Sequence, residues 1–194
     1  MNPDLILSTL PLAHNLPVMT VLISLFLNYE DESKIFQALG VLDKNHFREE
    51  HAEEIQQLID ERFFYSDLDL GTRDEVIDFM CDNLLEAGCA PEGFKSSVHK
   101  REDISSTSFV YSFAIPHSMN VNCYESNLSV AILKNPIPWG DYDVHLVILL
   151  GFAKDQQSIM RIFLDWMSNV LSDSNEFTKL IQSKTRDEFV QQFI

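Results

Sequence analysis

The sequence predicts an α/β protein, a mixed β-sheet flanked by helices on both faces. Three observations carry this. VHLVILLGFA (144–153) is a near-continuous apolar run, the pattern of a central strand covered on both sides. TRDEVIDFMCDNLLEAG (72–88) and QQSIMRIFLDWMSNVLSD (156–173) place apolar residues at helical spacing. SFVYSFAI (108–115) and SNLSVAILK (126–134), which lie between them, are rich in β-branched and aromatic residues and read as strands. Helices packed on both sides of a sheet are how such an alternation buries its apolar faces.

The elements follow in order. LILSTLPLAHNLPVMTVLISLFL (5–27) is the most membrane-like stretch, but Pro11, His14, Asn15 and Pro17 interrupt it. Each half is too short to span a bilayer, and no basic residue precedes it as in a signal peptide. It reads as two buried strands, about 4–9 and 17–24, joined by a loop. A helix follows, capped by Asn28 or Asp31, with Ile35, Phe36 and Leu39 as its apolar positions and Gly40 at its end. Two strands and a helix bury too little surface for a domain. Residues 1–40 therefore read as the closing part of an α/β domain whose beginning is missing, and Met1 directly before such sequence suggests a cloned fragment. Residues 41–62 are rich in Glu and read as a solvated helical linker. His46 and His51 in it are five apart, not the four of a helical metal pair, so a charged face is the expectation and metal is not.

A second unit is expected over 63–194. Thr72 with Glu75 three residues on forms a capping box, Val76, Ile77, Met80, Leu84 and Leu85 form the apolar stripe, and Gly88 ends the helix. PEGFKSSVHKRE (91–102) predicts a short helix with Pro91 in its first turn. NPIPWGDYD (135–143) is a turn cluster before the central strand. The helix over 156–173 turns Ile159, Ile162, Phe163, Trp166 and Val170 inward. Helices over 175–183 and 185–194 close the chain.

Composition sets the function classes aside from one another. The chain has 194 residues and a net charge of −16. So acidic a surface repels phosphate backbones and anionic lipids, which excludes direct nucleic-acid contact and attracts a basic protein partner. Cys81, Cys89 and Cys123 are odd in number and hold no C-x-x-C pair. They fit buried, reduced thiols in a cytoplasmic protein.

The chemistry-bearing stretch is KREDISSTSFVYSFAIPHSM (100–119). An apolar run ends in Pro116 and presents His117. Taken alone, His117 reads as a loop histidine without a role. Its position argues for more, because a strand in a sheet delivers its last residue with little freedom. Pro116 fixes its own φ and keeps Ile115 extended, so the imidazole is placed in advance, as a nucleophile requires. Arg101 precedes a hydroxyl cluster, Ser105, Ser106, Thr107 and Ser108. A planar fork of donors beside hydroxyls makes a wall for phosphate oxygens, or else a polar surface turn.

This stretch resembles the signature of mannitol/fructose-type enzyme IIA domains of the bacterial sugar phosphotransferase system. That signature is an Arg-Glu pair, a Ser/Thr cluster, a strand, and Ala-aliphatic-Pro-His. Arg101, Glu102, Ser106, Thr107, Ala114, Pro116 and His117 fall on it, and WGDYDVHLVILLGFA (139–153) resembles the family's next strand. The resemblance covers about 63–194. It implies that His117 accepts a phosphoryl group from the carrier HPr through Nε2 and hands it to a cysteine of a IIB domain. Arg101 would neutralise phosphate charge, and Ser106 and Thr107 would bond phosphate or fix the imidazole tautomer. No cofactor is implied beyond the phosphoryl group itself.

Many such domains carry a second histidine shortly after the central strand. Here Ser158 stands at about that place, and His145, inside the strand, reads as core. That departure suits a domain phosphorylated as a signal. Residues 1–40 resemble the end of a galactitol-type enzyme IIB domain, without the segment that bears its cysteine. The combination resembles the C-terminal end of transcription activators and antiterminators with phosphotransferase-regulated domains, whose regulatory and nucleic-acid-binding parts lie outside these residues. Two other readings remain at this point: a transport enzyme IIA, and an interaction domain that kept the fold and lost the chemistry.

Overall fold

Both apolar runs near the start of the chain form strands. The computed structural model describes residues 3–12, 14, 16–154, 163–164, 166–167, 170–171 and 173–194. They form two units, 1–52 and 53–194. In the first, β1 (Leu5–Ser8) and β2 (Met19–Leu22) pair in parallel, Leu5 opposite Met19. The helix α1 (Tyr29–Leu58) follows. Asn28 caps it, its Oδ1 accepting from Glu30 N at 2.9 Å and Asp31 N at 3.1 Å, while Asp31 accepts from Asn28 N at 3.3 Å.

Gly40 does not end this helix, which continues through the segment expected as linker to Leu58. A glycine inside a helix costs only about 1 kcal/mol, and Gly40 takes no left-handed φ that would turn the chain. The helix's expected apolar positions are not its buried ones: Phe36 is 72 % exposed and Leu39 41 %, whereas Asp31 and Ala38 are buried. Together with Leu7, Leu22, Leu25 and Phe26 these make the first unit unusually apolar on its surface.

The second unit is a five-stranded sheet. Its strands are β3 (Phe64–Leu68), β4 (Ser108–Phe109), β5 (Phe113–Ala114), β6 (Asn127–Trp139) and β7 (Tyr142–Gly151). Their order is β3-β6-β7-β5-β4. The pairs β3·β6 and β5·β7 are parallel, and β6·β7 and β4·β5 antiparallel, so the sheet is mixed. As its apolar run predicts, β7 is central and buried from Leu146 onward.

Helix α2 (Arg73–Glu86) has the expected capping box. Its end is a Schellman turn: Gly88 at φ +74° lets Cys89 N reach Leu84 O at 2.9 Å and Gly88 N reach Leu85 O at 3.0 Å. Helix α3 (Phe94–Ile104) begins after Gly93, so Pro91 shapes the turn before it. Both helices cover one sheet face, where Val76, Ile77, Met80, Leu84, Phe94 and Val98 meet Ala131, Leu133, Val147 and Leu149. Helices α4 (Ser174–Ile181) and α5 (Arg186–Phe193) cover the other, Phe177 against Phe113 and Phe189 against Phe64. Of the expected helix over 156–173, Phe163, Trp166, Met167, Val170 and Leu171 are helical and buried. Ile159 and Ile162 lie outside the described residues.

Two strands differ from expectation. Residues 108–115 are a tight hairpin, not one strand. Ser112 takes φ +67° without being glycine, and Val110 and Tyr111 sit exposed at the tip. Nothing in a run of β-formers announces that turn. Conversely, the turn cluster 135–143 is mostly strand, with β6 running on to Trp139 past a register shift between Ile132 and Ile137. Its partner β3 reaches only Leu133, so Pro136 and Pro138 lie where β6 has a free edge and need no donor on that side. The turn itself is Gly140-Asp141, with Gly140 at φ +66°.

Among the described residues no helix is long and apolar enough to cross a membrane, and no group of three or more His, Cys, Asp or Glu is disposed to hold a metal. Cys81, Cys89 and Cys123 are free and buried.

Candidate functional site

His117 lies three residues past the end of β5, where it pairs with Leu150 of β7 in an isolated parallel bridge. Leu150 N donates to Pro116 O at 3.0 Å, so the central strand grips the residue before the histidine. Placement by a sheet, expected from sequence, thus comes through two residues of β5 and this bridge.

The imidazole has both nitrogens engaged. Nδ1 lies 2.9 Å from the Ile115 carbonyl. A carbonyl only accepts, so Nδ1 carries the proton and Nε2 carries the lone pair. Arg101 Nε donates to that lone pair at 3.1 Å, and Arg101 Nη1 donates to Ser105 O at 2.7 Å. The Nη2 group has no partner among the described residues. His117 is half-buried at a pocket of about 370 Å³ lined by Phe94, Arg101, Ser118, Met119, Val121 and Leu150. That is ample for a phosphoryl group and too open for a solvent-free chamber.

Arg101 is aimed by what surrounds it in α3. The next residue, Glu102, is buried and accepts three bonds: Thr107 N at 2.8 Å, Thr107 Oγ1 at 2.6 Å and Trp139 Nε1 at 2.8 Å. A buried carboxylate is tolerable only with such partners, and these tie the end of α3 to the start of β4 and the end of β6. On its outer side α3 is held to α2 by Lys95–Asp82 at 2.7 Å and His99–Asp78 at 2.9 Å. The hydrogen bond from His99 holds the Asp78 carboxyl below the usual carboxylate range, aided by the charge of Lys95.

The predicted residues separate into two groups. Arg101, Pro116 and His117 converge. Ser106 and Thr107 face elsewhere: Thr107 is bound to Glu102, and Ser106 Oγ donates to Trp139 O at 3.3 Å and lies 2.9 Å from Ser108 Oγ. The imidazole tautomer is set by the Ile115 carbonyl, not by a hydroxyl. His145 is half-buried, and burial pushes its imidazole below its ordinary pKa. Ser158 lies outside the described residues.

Three polar residues beside His117 were not singled out by sequence. Ser118 Oγ donates to Ser97 Oγ at 2.8 Å, Ser97 Oγ donates to Asn120 Oδ1 at 3.2 Å, and Val121 N donates to Ser118 Oγ at 2.9 Å. The available signal was spacing: Ser97 stands four residues before Arg101, on the same helical face.

Residues 57–194 match the family described as phosphoenolpyruvate-dependent sugar phosphotransferase system, EIIA 2. A "Probable licABCH operon regulator" of Bacillus subtilis (strain 168) is 27 % identical over 190 residues, 98 % of this chain and 28 % of that protein. "Multiphosphoryl transfer protein 2" of Escherichia coli (strain K12) is 41 % identical over 101 residues, 49 % of this chain and 12 % of that protein. The chain therefore spans less than a third of the length of these relatives. The Escherichia coli complex of enzyme IIAMTL and phosphorylated enzyme IIBMTL contains a chain that superposes with a TM-score of 0.61 at 16 % identity, over 70 % of this chain and 96 % of that one, which shows the fold. With the family match covering most of its length, the chain belongs to the EIIA type 2 family of the phosphoenolpyruvate-dependent sugar phosphotransferase system.

Proposed function

We propose that this chain is the phospho-accepting IIA-type regulatory domain of a phosphotransferase-controlled transcriptional regulator, and that His117 Nε2 is its acceptor. The observation that carries the reading is the imidazole's bonding. With Nδ1 protonated against Ile115 O, Nε2 keeps its lone pair, bonded by the Arg101 guanidinium at the pocket that both residues line.

In the reaction, the phosphorylated histidine of HPr presents its phosphorus in line with His117 Nε2. The P–N bond to the carrier breaks and the electron pair stays on the carrier imidazole as the Nε2–P bond forms. His117 keeps its Nδ1 proton, and the Ile115 carbonyl stabilises the positive charge that develops on the ring. Arg101 releases Nε2 and turns its donors to the phosphoryl oxygens, while Nη1 stays anchored near Ser105. The protein supplies position and charge, which is most of what phosphoryl transfer requires.

The regulatory assignment draws support from the licABCH operon regulator, whose similarity extends over 98 % of this chain and so over nearly all of the stretch ahead of the family match. In this reading residues 1–40 close a IIB-like α/β domain, which accounts for the parallel pair β1·β2 and its exposed leucines. A IIB domain is the partner that would receive the phosphoryl group onward. A transport IIA is the second reading, to which the 41 % identity to a multiphosphoryl transfer protein over half of this chain is relevant.

The test is incubation with enzyme I, HPr and radiolabelled phosphoenolpyruvate. One acid-labile phosphoryl group per chain is expected, lost in His117→Ala. Equal labelling of His117→Ala overturns the site. Onward transfer to a IIB cysteine as fast as uptake favours the transport reading.

A further inference from the structure

We propose that Ser97 and Ser118 are positioning residues for phosphoryl transfer, a clamp that holds the His117 loop in register with Arg101. The proposal rests on the reading of His117 as acceptor and adds residues that this reading does not use.

The loop from His117 to Asn122 is anchored at its two ends by β7 and the residue after it. Leu150 N donates to Pro116 O at 3.0 Å, and Cys123 N donates to Phe152 O at 2.9 Å. Between these anchors Val121 packs against the core, but Met119 is 57 % exposed, and Asn120 and Asn122 are exposed too. What ties this stretch to α3 is the directional chain Val121 N–H to Ser118 Oγ, Ser118 Oγ–H to Ser97 Oγ, and Ser97 Oγ–H to Asn120 Oδ1. Each hydroxyl both accepts and donates, so removing either breaks the chain.

The geometry gives the clamp its purpose. Ser97 and Arg101 are one turn apart on the same face of α3, and Ser118 follows His117 directly. Helix and loop therefore meet at two adjacent points, Arg101–His117 and Ser97–Ser118. The ring itself is bonded by Ile115 O and Arg101, and the second contact keeps the loop that follows it from shifting against the guanidinium. Ser97 is 6 % exposed, so its hydroxyl serves this contact and not solvent. The loop also forms a wall of the pocket through Ser118, Met119 and Val121. A shift of about 1 Å in such a wall is enough to cost a large factor in rate.

The experiment compares the parent with Ser97→Ala, Ser118→Ala and the double variant, each checked for folding by circular dichroism. Uptake from phosphorylated HPr is measured at varied HPr. The clamp predicts that kcat falls by about tenfold in either single variant, with KM unchanged within error. It predicts no further fall in the double variant, because both residues belong to one chain of bonds. Parent kcat in Ser118→Ala, or losses that multiply in the double variant, overturn it. The imidazole ¹⁵N spectrum of resting protein separates this from failure of the acceptor reading. Even if the parent takes up no phosphoryl group, the clamp predicts a sharp His117 Nε2 signal in the parent and a shifted or broadened one in Ser118→Ala, where the Arg101 contact is no longer held in register. Identical spectra overturn it.

Discussion

Arg101 Nε donates to His117 Nε2 at 3.1 Å, so in the proposed reaction the attacking atom is hydrogen-bonded by the residue assigned to neutralise the phosphate. The two roles are sequential. In the resting protein the guanidinium bonds the lone pair; in the proposed transfer it gives the lone pair up and meets the phosphoryl oxygens. Arg101 Nη1, bonded to Ser105 O at 2.7 Å, is the pivot about which that proposed exchange would turn.

Replacing Arg101 by Ala should therefore lower the initial rate of phosphoryl uptake by about 10²–10³, the usual cost of losing a donor aimed at developing charge. Arg101→Lys should fall between, since an ammonium keeps the charge but not the fork that bonds Nε2 and Ser105 together. Initial rates with saturating HPr measure both. A rate for Arg101→Ala within a factor of about two of the parent would contradict this account of transition-state stabilisation.

Glu102 is expected to matter for stability before activity. Its carboxylate satisfies Thr107 N, Thr107 Oγ1 and Trp139 Nε1 inside the protein. Glu102→Ala leaves those donors buried and unpaired, which costs about 2–5 kcal/mol. Glu102→Gln should lose less, because its amide oxygen still accepts. Urea unfolding gives both values, and a loss below about 1 kcal/mol in the Ala variant would show that the network is not load-sharing.

The glycines at positive φ should rank by their surroundings. Gly88→Ala meets open space and carries only the left-handed penalty of about 1–2 kcal/mol. At Gly140 a Cβ would stand 2.6 Å from both Cβ and Oγ of Ser106, so Gly140→Ala adds a steric cost and disturbs the bond from Ser106 to Trp139 O. Thermal or urea unfolding should show Gly140→Ala as clearly the less stable.

How much was legible follows from which interactions are local. The capping box of α2 and the doubly covered β7 were readable because local hydrogen bonding and period carry them. The hairpin at 108–115 was not, because Ser112 adopts a positive φ that only the finished sheet, through His145 N and Ser112 O, makes affordable. The extent of β6 was misread because prolines signal turns unless an edge is free. At the site, Arg101 and His117 were legible from residue type, order and resemblance. The diversion of Thr107 to Glu102 was not, since a buried carboxylate's partners are set by the tertiary fold.

The thiols provide a pH test. Burial pushes Cys81 and Cys123 from an ordinary value of 9.0 up to about 12, and raises Cys89 as well. The fold thus favours the neutral thiols. Their contribution is complete below the unfolded value and is lost as pH rises from about 9 toward 12. The urea midpoint should fall over the lower part of that range. A thiol reagent at about pH 8 should react slowly with native protein and with all three cysteines once it is unfolded.

The central claim is that His117 accepts through Nε2 while keeping its proton on Nδ1. Heteronuclear ¹⁵N and ³¹P spectra of the protein before and after phosphorylation test it directly. The account predicts the Nδ1–H tautomer at rest and phosphorus coupled to Nε2 of His117 afterwards. Phosphorus on Nδ1, or an Nε2–H tautomer in the resting protein, would contradict it.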